Sequence, residues 1–185
     1  MEINTFSDFY KSFPIVSDKG TIHDYINSYY THIFTPKKNE PIRLLEIGIY
    51  KGASTHLFRS FFTQAEIIAF ENNFENGGVF NIEGVTIHWQ DAYSDESVKL
   101  YPDNYFDFII DDGPHTLESQ ICAVKKWGMK IKQDGKLIIE DIQSQSDLIS
   151  ILKVANDEGF KFKVFDMRDN KKRYDDIIIE ITKKP

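Results

Sequence analysis

At 185 residues the chain is about one domain long, and at that size roughly 70% of the extended surface can be buried on folding. Hydrophobic residues at 41% and charged residues at 28% are ordinary for a globular fold, while 22 Lys and Arg against 29 Asp and Glu leave a formal charge of −7 that repels phosphate backbones and argues against nucleic acid as a partner. The single cysteine, Cys122, cannot form an internal disulfide, and no apolar run approaches the ~20 residues that span a bilayer, so disulfide scaffolds and membrane spans are excluded.

The opening MEINTFSDFYKSF is neither a basic-then-apolar signal nor a transit peptide, which sets the expectation of a cytoplasmic protein. Ser17-Asp18-Lys19-Gly20 reads as a turn, with Thr21 as an N-cap and Asp24 three residues on. Ile22, Tyr25, Ile26, Tyr29, Tyr30 and Ile33 follow at helical spacing, and a polar loop from Pro36 to Pro41 ends this N-terminal segment. Residues 1–40 are expected to form a helical lid on a core of residues 41–185, the whole being a single domain.

Strands and helices then alternate. Strands are predicted at Ile42–Ile47, Ile67–Phe70, Val85–Trp89, Tyr105–Ile110, Lys136–Ile139, Phe160–Phe165 and Ile177–Thr182. Helices are predicted over Ser54–Phe62, about Thr116–Ile131 and Leu148–Glu158, with a turn at Gln133-Asp134-Gly135 and a charged loop, RDNKKRYDD, before the last strand. Short apolar strands separated by helices imply an α/β fold with a doubly wound parallel sheet covered on both faces. The last two strands lack room for a crossover helix and should pair antiparallel. Seven strands with such an antiparallel terminal pair resemble the Rossmann-like class I methyltransferase sheet.

In open α/β sheets ligands sit beyond the carboxyl ends of the strands, and here that edge is acidic. The first strand runs into Glu46-Ile47-Gly48-Ile49-Tyr50-Lys51-Gly52, a glycine-containing turn, and the second ends in Glu71, whose carboxylate is placed to accept both hydroxyls of a ribose. Neither the nicotinamide glycine fingerprint nor the phosphate-binding GxxxxGK[ST] pattern is present. An acid before the glycine turn suits a cationic sulfonium better than a pyrophosphate, which points to S-adenosylmethionine held by Glu46, Gly48, Gly52 and Glu71, with Asp91 at the adenine. The competing reading is a strand-to-helix turn without a ligand.

The fourth strand ends in Asp111-Asp112-Gly113-Pro114-His115 and the fifth in Glu140-Asp141. As neighbours in the sheet, these acids would converge with no Lys or Arg adjacent in sequence, and such a cluster calls for a cation. Oxygen donors select Mg²⁺ or another hard divalent ion, and His115 stands where it could serve as a general base. The plainer alternative is that Asp111-Asp112-Gly113 is a turn and Glu140-Asp141 a helix cap.

DKGTIHDY, LLEIGIYKGAS, IIDDGPH and LIIEDI together resemble the metal-dependent sugar O-methyltransferases of the macrocin and mycinamicin type, from Asp18 to about Glu180. The resemblance implies Asp112, Glu140 and Asp141 as Mg²⁺ ligands, His115 as base, S-adenosylmethionine as cofactor and a sugar or other small-molecule hydroxyl as acceptor. It also makes Lys19, His23, Tyr25 and Tyr29 part of an N-terminal motif over cofactor or acceptor. Two positions depart from the family pattern. Pro114 replaces a Ser, opening the option of a cis Gly–Pro bond, and Tyr50 stands where a second glycine is common. A catechol-like diol acceptor and a non-catalytic cofactor-binding protein on the same fold are the alternatives. A homodimer is the prior for a small enzyme.

Overall fold

The computed structural model describes residues 4–73 and 81–185. The first three residues of the opening stretch lie outside the described residues, as do 74–80 between the second and third strands. The strands are β1 (Arg43–Ile47), β2 (Glu66–Glu71), β3 (Val85–Trp89), β4 (Phe106–Asp111), β5 (Ile131–Ile139), β6 (Lys161–Asp166) and β7 (Ile177–Thr182). They form one sheet in the order β3-β2-β1-β4-β5-β7-β6. The first five pair parallel, and β7 is antiparallel to both β5 and β6. This is the doubly wound, seven-stranded class I methyltransferase architecture with the expected antiparallel end.

Period-two alternation divides adjacent residues between two cores. Leu45, Ile68, Ile109, Ile139 and Ile179 face one cluster with Val124, Trp127 and Ile151. Leu44, Ile67, Ile110, Ile138 and Ile178 face the other, with Phe58 and Phe61 of α4 (Ala53–Phe61) and the N-terminal helices. Both faces are covered, which is why adjacent residues of the central strands are apolar on both sides, with Glu46 the buried exception in β1.

The N-terminal segment comprises α1 (Phe6–Ser12), α2 (Asp18–Thr21), a π-helical turn (Ile26–Tyr30) and α3 (Thr31–Phe34). The cap expected at Thr21 is displaced to Ser17, whose side chain accepts from the Lys19 N–H; Thr21 closes that short helix instead of opening a longer one. The Thr31 N–H reaches back to Ile26 O, giving the π turn, and Tyr25, Ile26, Tyr29, Tyr30 and Phe34 form the buried stripe while Ile22 is exposed. α1 was not anticipated, although Thr5 and Asp8 make a complete capping box.

Further along come α5 (Asp95–Lys99), also unanticipated, then α6 (Leu117–Cys122), α7 (Gln145–Asp157) and α8 (Arg168–Lys171). The predicted helix after Thr116 changes to a π turn at Ala123–Trp127 and a tight turn at Gly128–Lys130. The turn expected at Gln133-Asp134-Gly135 lies inside β5 as an irregularity, where the register with β4 jumps between Phe106↔Ile131 and Phe108↔Lys136. α8 occupies part of the charged loop. Every peptide bond among the described residues is trans, including Gly113–Pro114, so the cis option is not taken.

Candidate active site

The sheet aligns its carboxyl ends through backbone hydrogen bonds that continue past the strands. Gly48 N–H donates to Phe70 O (2.9 Å), Asp112 N–H to Ile47 O (2.9 Å) and Glu140 N–H to Asp111 O (3.1 Å). The loops after β1, β2, β4 and β5 are thereby held side by side. The loops after β1, β2 and β4, with the segment after β3, border a cavity of about 380 Å³ whose lining includes Gly48, Tyr50, Glu71, Asp91, Asp112 and His115. Glu46, Gly52, Glu140 and Asp141 are not in its lining.

Glu46 is fully buried, and its two oxygens accept from Ser54 Oγ (2.5 Å) and Thr55 Oγ1 (2.6 Å), tying β1 to the first turn of α4. Burial pushes its carboxyl up to about 7 against the opposing influence of Lys19 and the two hydroxyls. Gly48 adopts φ +79°, and a Cβ there would lie 2.2 Å from Asp112 O, so the β1 and β4 loops touch only because this residue has no side chain. Tyr50 holds φ +48° without being glycine, and Gly52 begins α4 in the left-handed region. The sequence reading missed what Glu71 does with its oxygens. One accepts the N–H groups of Ile49 (3.1 Å) and Tyr50 (2.9 Å), the other those of Asn72 (2.9 Å) and Asn73 (2.8 Å). A carboxylate offers about four lone-pair positions, so Glu71 braces two loops around the cavity. Asp91 is exposed at the cavity wall, where one oxygen accepts from the Tyr93 N–H (2.9 Å).

The acidic cluster forms as expected between β4 and β5, with one addition. Lys19, 1% exposed, carries its ammonium to Asp112 Oδ2 (2.6 Å) and to Glu140 Oε2. No local signal revealed this, because the partners lie far apart in sequence and the lysine reads as part of a turn. The Tyr30 hydroxyl donates to the other oxygen of Glu140. Tyr25 donates to Asp141 Oδ1 (2.5 Å), and Tyr29 donates to Glu180 (2.9 Å), away from the acids at the strand ends. His23 Nδ1 lies 2.6 Å from Asp176 and 3.5 Å from Asp141.

His115 Nε2 stands 3.7 Å from Asp112 Oδ1 and 3.6 Å from Asp141 Oδ2. Asp112, His115 and Asp141 each offer a donor atom within 4.8 Å of the others. His115 (φ +55°) and Asp141 (φ +54°) both hold the left-handed backbone that side-chain-bearing residues avoid. Such conformations persist where surrounding structure imposes them, often at functional sites. Burial, then the neighbouring carboxylates, raises the pKa of Glu140 and Asp141 against their cationic and hydrogen-bonding partners. Burial alone would favour neutral Lys19, yet Asp112 and Glu140 lift its pKa well above the usual range. Three carboxylates against one ammonium leave two formal negative charges, and two of those carboxylates turn an oxygen towards one point, an arrangement that fits a divalent cation with the imidazole at its side. Asp111 faces inward to the Tyr93 hydroxyl (2.5 Å), and burial pushes its carboxyl up to about 7.

Comparison with known proteins agrees with this architecture. The profile of a family described as a methyltransferase domain matches residues 45–142. A Streptomyces olivaceus protein, 8-demethyl-8-(2-methoxy-alpha-L-rhamnosyl)-tetracenomycin-C 3'-O-methyltransferase, is 27% identical over 137 residues, covering 68% of this chain and 34% of its own length. The chain thus spans about a third of that curated relative. Among solved structures, the MycE methyltransferase of the mycinamycin pathway, in complex with Mg, SAH and mycinamycin VI, superposes with a TM-score of 0.69 at 19% identity, over 96% of this chain and 54% of that one. SAH-bound PaMTH1 from Podospora anserina gives 0.59 at 16% identity, over 97% and 86%. At these identities the structural likeness speaks to the fold.

Proposed function

The chain belongs to the methyltransferase-domain family, and from that premise we propose that it transfers a methyl group from S-adenosylmethionine to a hydroxyl of a sugar or glycosylated small molecule, with Mg²⁺ at the acidic edge. The convergence of Asp112, Asp141 and His115 beside the cavity carries this reading. The sugar-type acceptor is supported by the rhamnosyl group in the name of the Streptomyces olivaceus relative and by the four motifs that resemble the macrocin and mycinamicin type. A cytoplasmic setting and a homodimer belong to the same proposal; among the described residues no helix is long and apolar enough to cross a membrane.

The chain's own groups have distinct tasks in this scheme. Glu71 and the hydroxyls on Glu46 fix the loops after β1 and β2, so the cofactor meets a preformed wall, and Asp91 lies on the adenine side. Asp112 and Asp141 present the oxygens for the cation, while Glu140, the third acid expected there, has both its oxygens engaged by Lys19 and Tyr30. The cofactor would contribute an electrophilic methyl on a sulfonium, and the cation would lower the pKa of the acceptor hydroxyl and orient it. His115 Nε2, beside Asp112 and Asp141, is the group that would take the acceptor hydroxyl's proton as the methyl passes from sulfur to that oxygen. Positioning provides most of the acceleration in such a transfer.

The test begins with calorimetric titration of S-adenosylhomocysteine, with and without Mg²⁺, followed by turnover on sugar diols in the presence of EDTA. We expect micromolar product binding, turnover abolished by EDTA, and a His115→Ala variant that binds product but does not turn over. Absence of binding under both conditions would remove the methyltransferase reading, and turnover in EDTA would remove the metal.

A further inference from the structure

We infer that Lys19 is a resident counter-ion of the acidic edge, one that sets how tightly a divalent cation binds there and holds Glu140 away from it. The inference rests on the metal-site reading above. Its basis is the way the ammonium divides the cluster. Lys19 reaches Asp112 Oδ2 at 2.6 Å and also Glu140 Oε2, and Tyr30 occupies the remaining oxygen of Glu140. Both oxygens of Glu140 are therefore engaged by donors from the N-terminal segment, and the residue is 1% exposed. The open atoms are on the other side: Asp112 Oδ1 and Asp141 Oδ2, each within 3.7 Å of His115 Nε2.

The lysine is held in this position by its surroundings. Its backbone N–H donates to Asp18 Oδ1 (2.9 Å) and Ser17 Oγ (3.3 Å) at the capped start of α2, and its side chain is buried along its length. A fixed positive charge on one oxygen of Asp112 opposes a second cation on the other, since like charges a few ångströms apart in a poorly solvated site repel strongly. Removing the charge should both relieve that repulsion and release Glu140 as a further oxygen donor. It also leaves Glu140 buried without a counter-ion, which destabilises the protein until a metal supplies one.

The experiment is Mn²⁺ binding to the full chain, followed by paramagnetic resonance of the free ion, with thermal midpoints measured with and without Mn²⁺. Wild type is compared with Lys19→Met, with Lys19→Gln (which keeps hydrogen bonding but not charge), and with Lys19→Arg (which keeps the charge). We expect Lys19→Met and Lys19→Gln to bind Mn²⁺ at least about tenfold more tightly than wild type. Their midpoints should be lower without metal and rise further on its addition, while Lys19→Arg keeps the wild-type affinity. If Mn²⁺ binds wild type and the uncharged, folded variants equally, or the variants more weakly, the inference fails while the metal reading stands. Binding by the uncharged variants but not by wild type upholds Lys19 as the occupant of the cation position and overturns metal dependence. No binding by any of the four overturns both.

Discussion

Glu46 is a carboxylate with no exposed surface, and burial pushes it up to about 7 although Lys19, Ser54 and Thr55 favour its charged form. In an unfolded chain a glutamate carboxyl titrates near 4.5. Between those values the folded protein binds the extra proton, so the stability linked to Glu46 is fully present below about pH 4.5 and is lost as pH rises towards 7. The shift corresponds to about 3 kcal/mol. Urea unfolding of Glu46→Gln should therefore show a stability that declines less than wild type between pH 5 and pH 8. Parallel pH profiles for the two proteins would show that Glu46 is ionised throughout. The sequence marks Glu46 as the acid before a glycine turn and Glu71 as a ribose acceptor at the end of the second strand; in the fold Glu71 reaches across to that same turn. Their partners were not legible, because four backbone N–H groups on Glu71 and two hydroxyls on Glu46 depend on how loops close in three dimensions.

The elements that position the site are turns, and glycines let them approach closely. The β1 loop meets the β4 loop where Gly48 lies under Asp112 O, and the β4 loop meets the segment after β3 where a Cβ on Gly113 would come 2.3 Å from the Tyr93 side-chain hydroxyl. Gly48→Ala adds a methyl in a left-handed backbone and pushes the carbonyl that precedes Gly113. We expect it to cost about 1–3 kcal/mol of stability and to lower S-adenosylhomocysteine affinity, since the displaced carbonyl belongs to Asp112 at the cavity wall. Wild-type affinity and unfolding midpoint in that variant would show that the loops can separate without consequence. The strands were legible because period-two burial and short apolar runs are local properties, and β3 and β7 fall where predicted. The helices flanking the site were less so. The Tyr25–Phe34 stripe is helical in spacing, but a five-residue turn and a cap at Ser17 re-phase it, and neither leaves a mark on apolar spacing.

At the scale of the molecule, the N-terminal segment is one wall of the second core. Phe6 and Phe34 pack edge-to-face at 5.2 Å, Phe34 meets Phe62 at 5.0 Å and Phe108 at 5.2 Å, and Phe6 meets Phe61 at 4.8 Å. Those contacts join α1 and α3 to α4 and to the sheet itself. The same segment delivers Lys19, Tyr25 and Tyr30 to the strand ends, so folding of this layer and assembly of the acidic edge are a single event. The aromatic density of the first 35 residues was visible in the sequence, but not whether it faced a ligand or the sheet. Removal of residues 1–37 separates the two possibilities. A hinged cover would leave a core with its own sharp thermal transition and near-ultraviolet dichroism. This packing predicts instead that Leu44, Phe58, Phe61, Ile110 and Ile178 lose their covering layer, exposing an apolar sheet face larger than a monomer tolerates. The truncated chain should bind a hydrophobic dye, lose near-ultraviolet dichroism and unfold without a cooperative transition. A milder variant, Phe34→Ala, keeps the layer but opens a cavity among five aromatic rings, at a cost of about 3–5 kcal/mol. Because Tyr30 stacks on Phe34 at 4.8 Å and holds one oxygen of Glu140, the same variant should also loosen that hold and tighten cation binding at the acidic edge, whereas a purely structural layer would leave it unchanged.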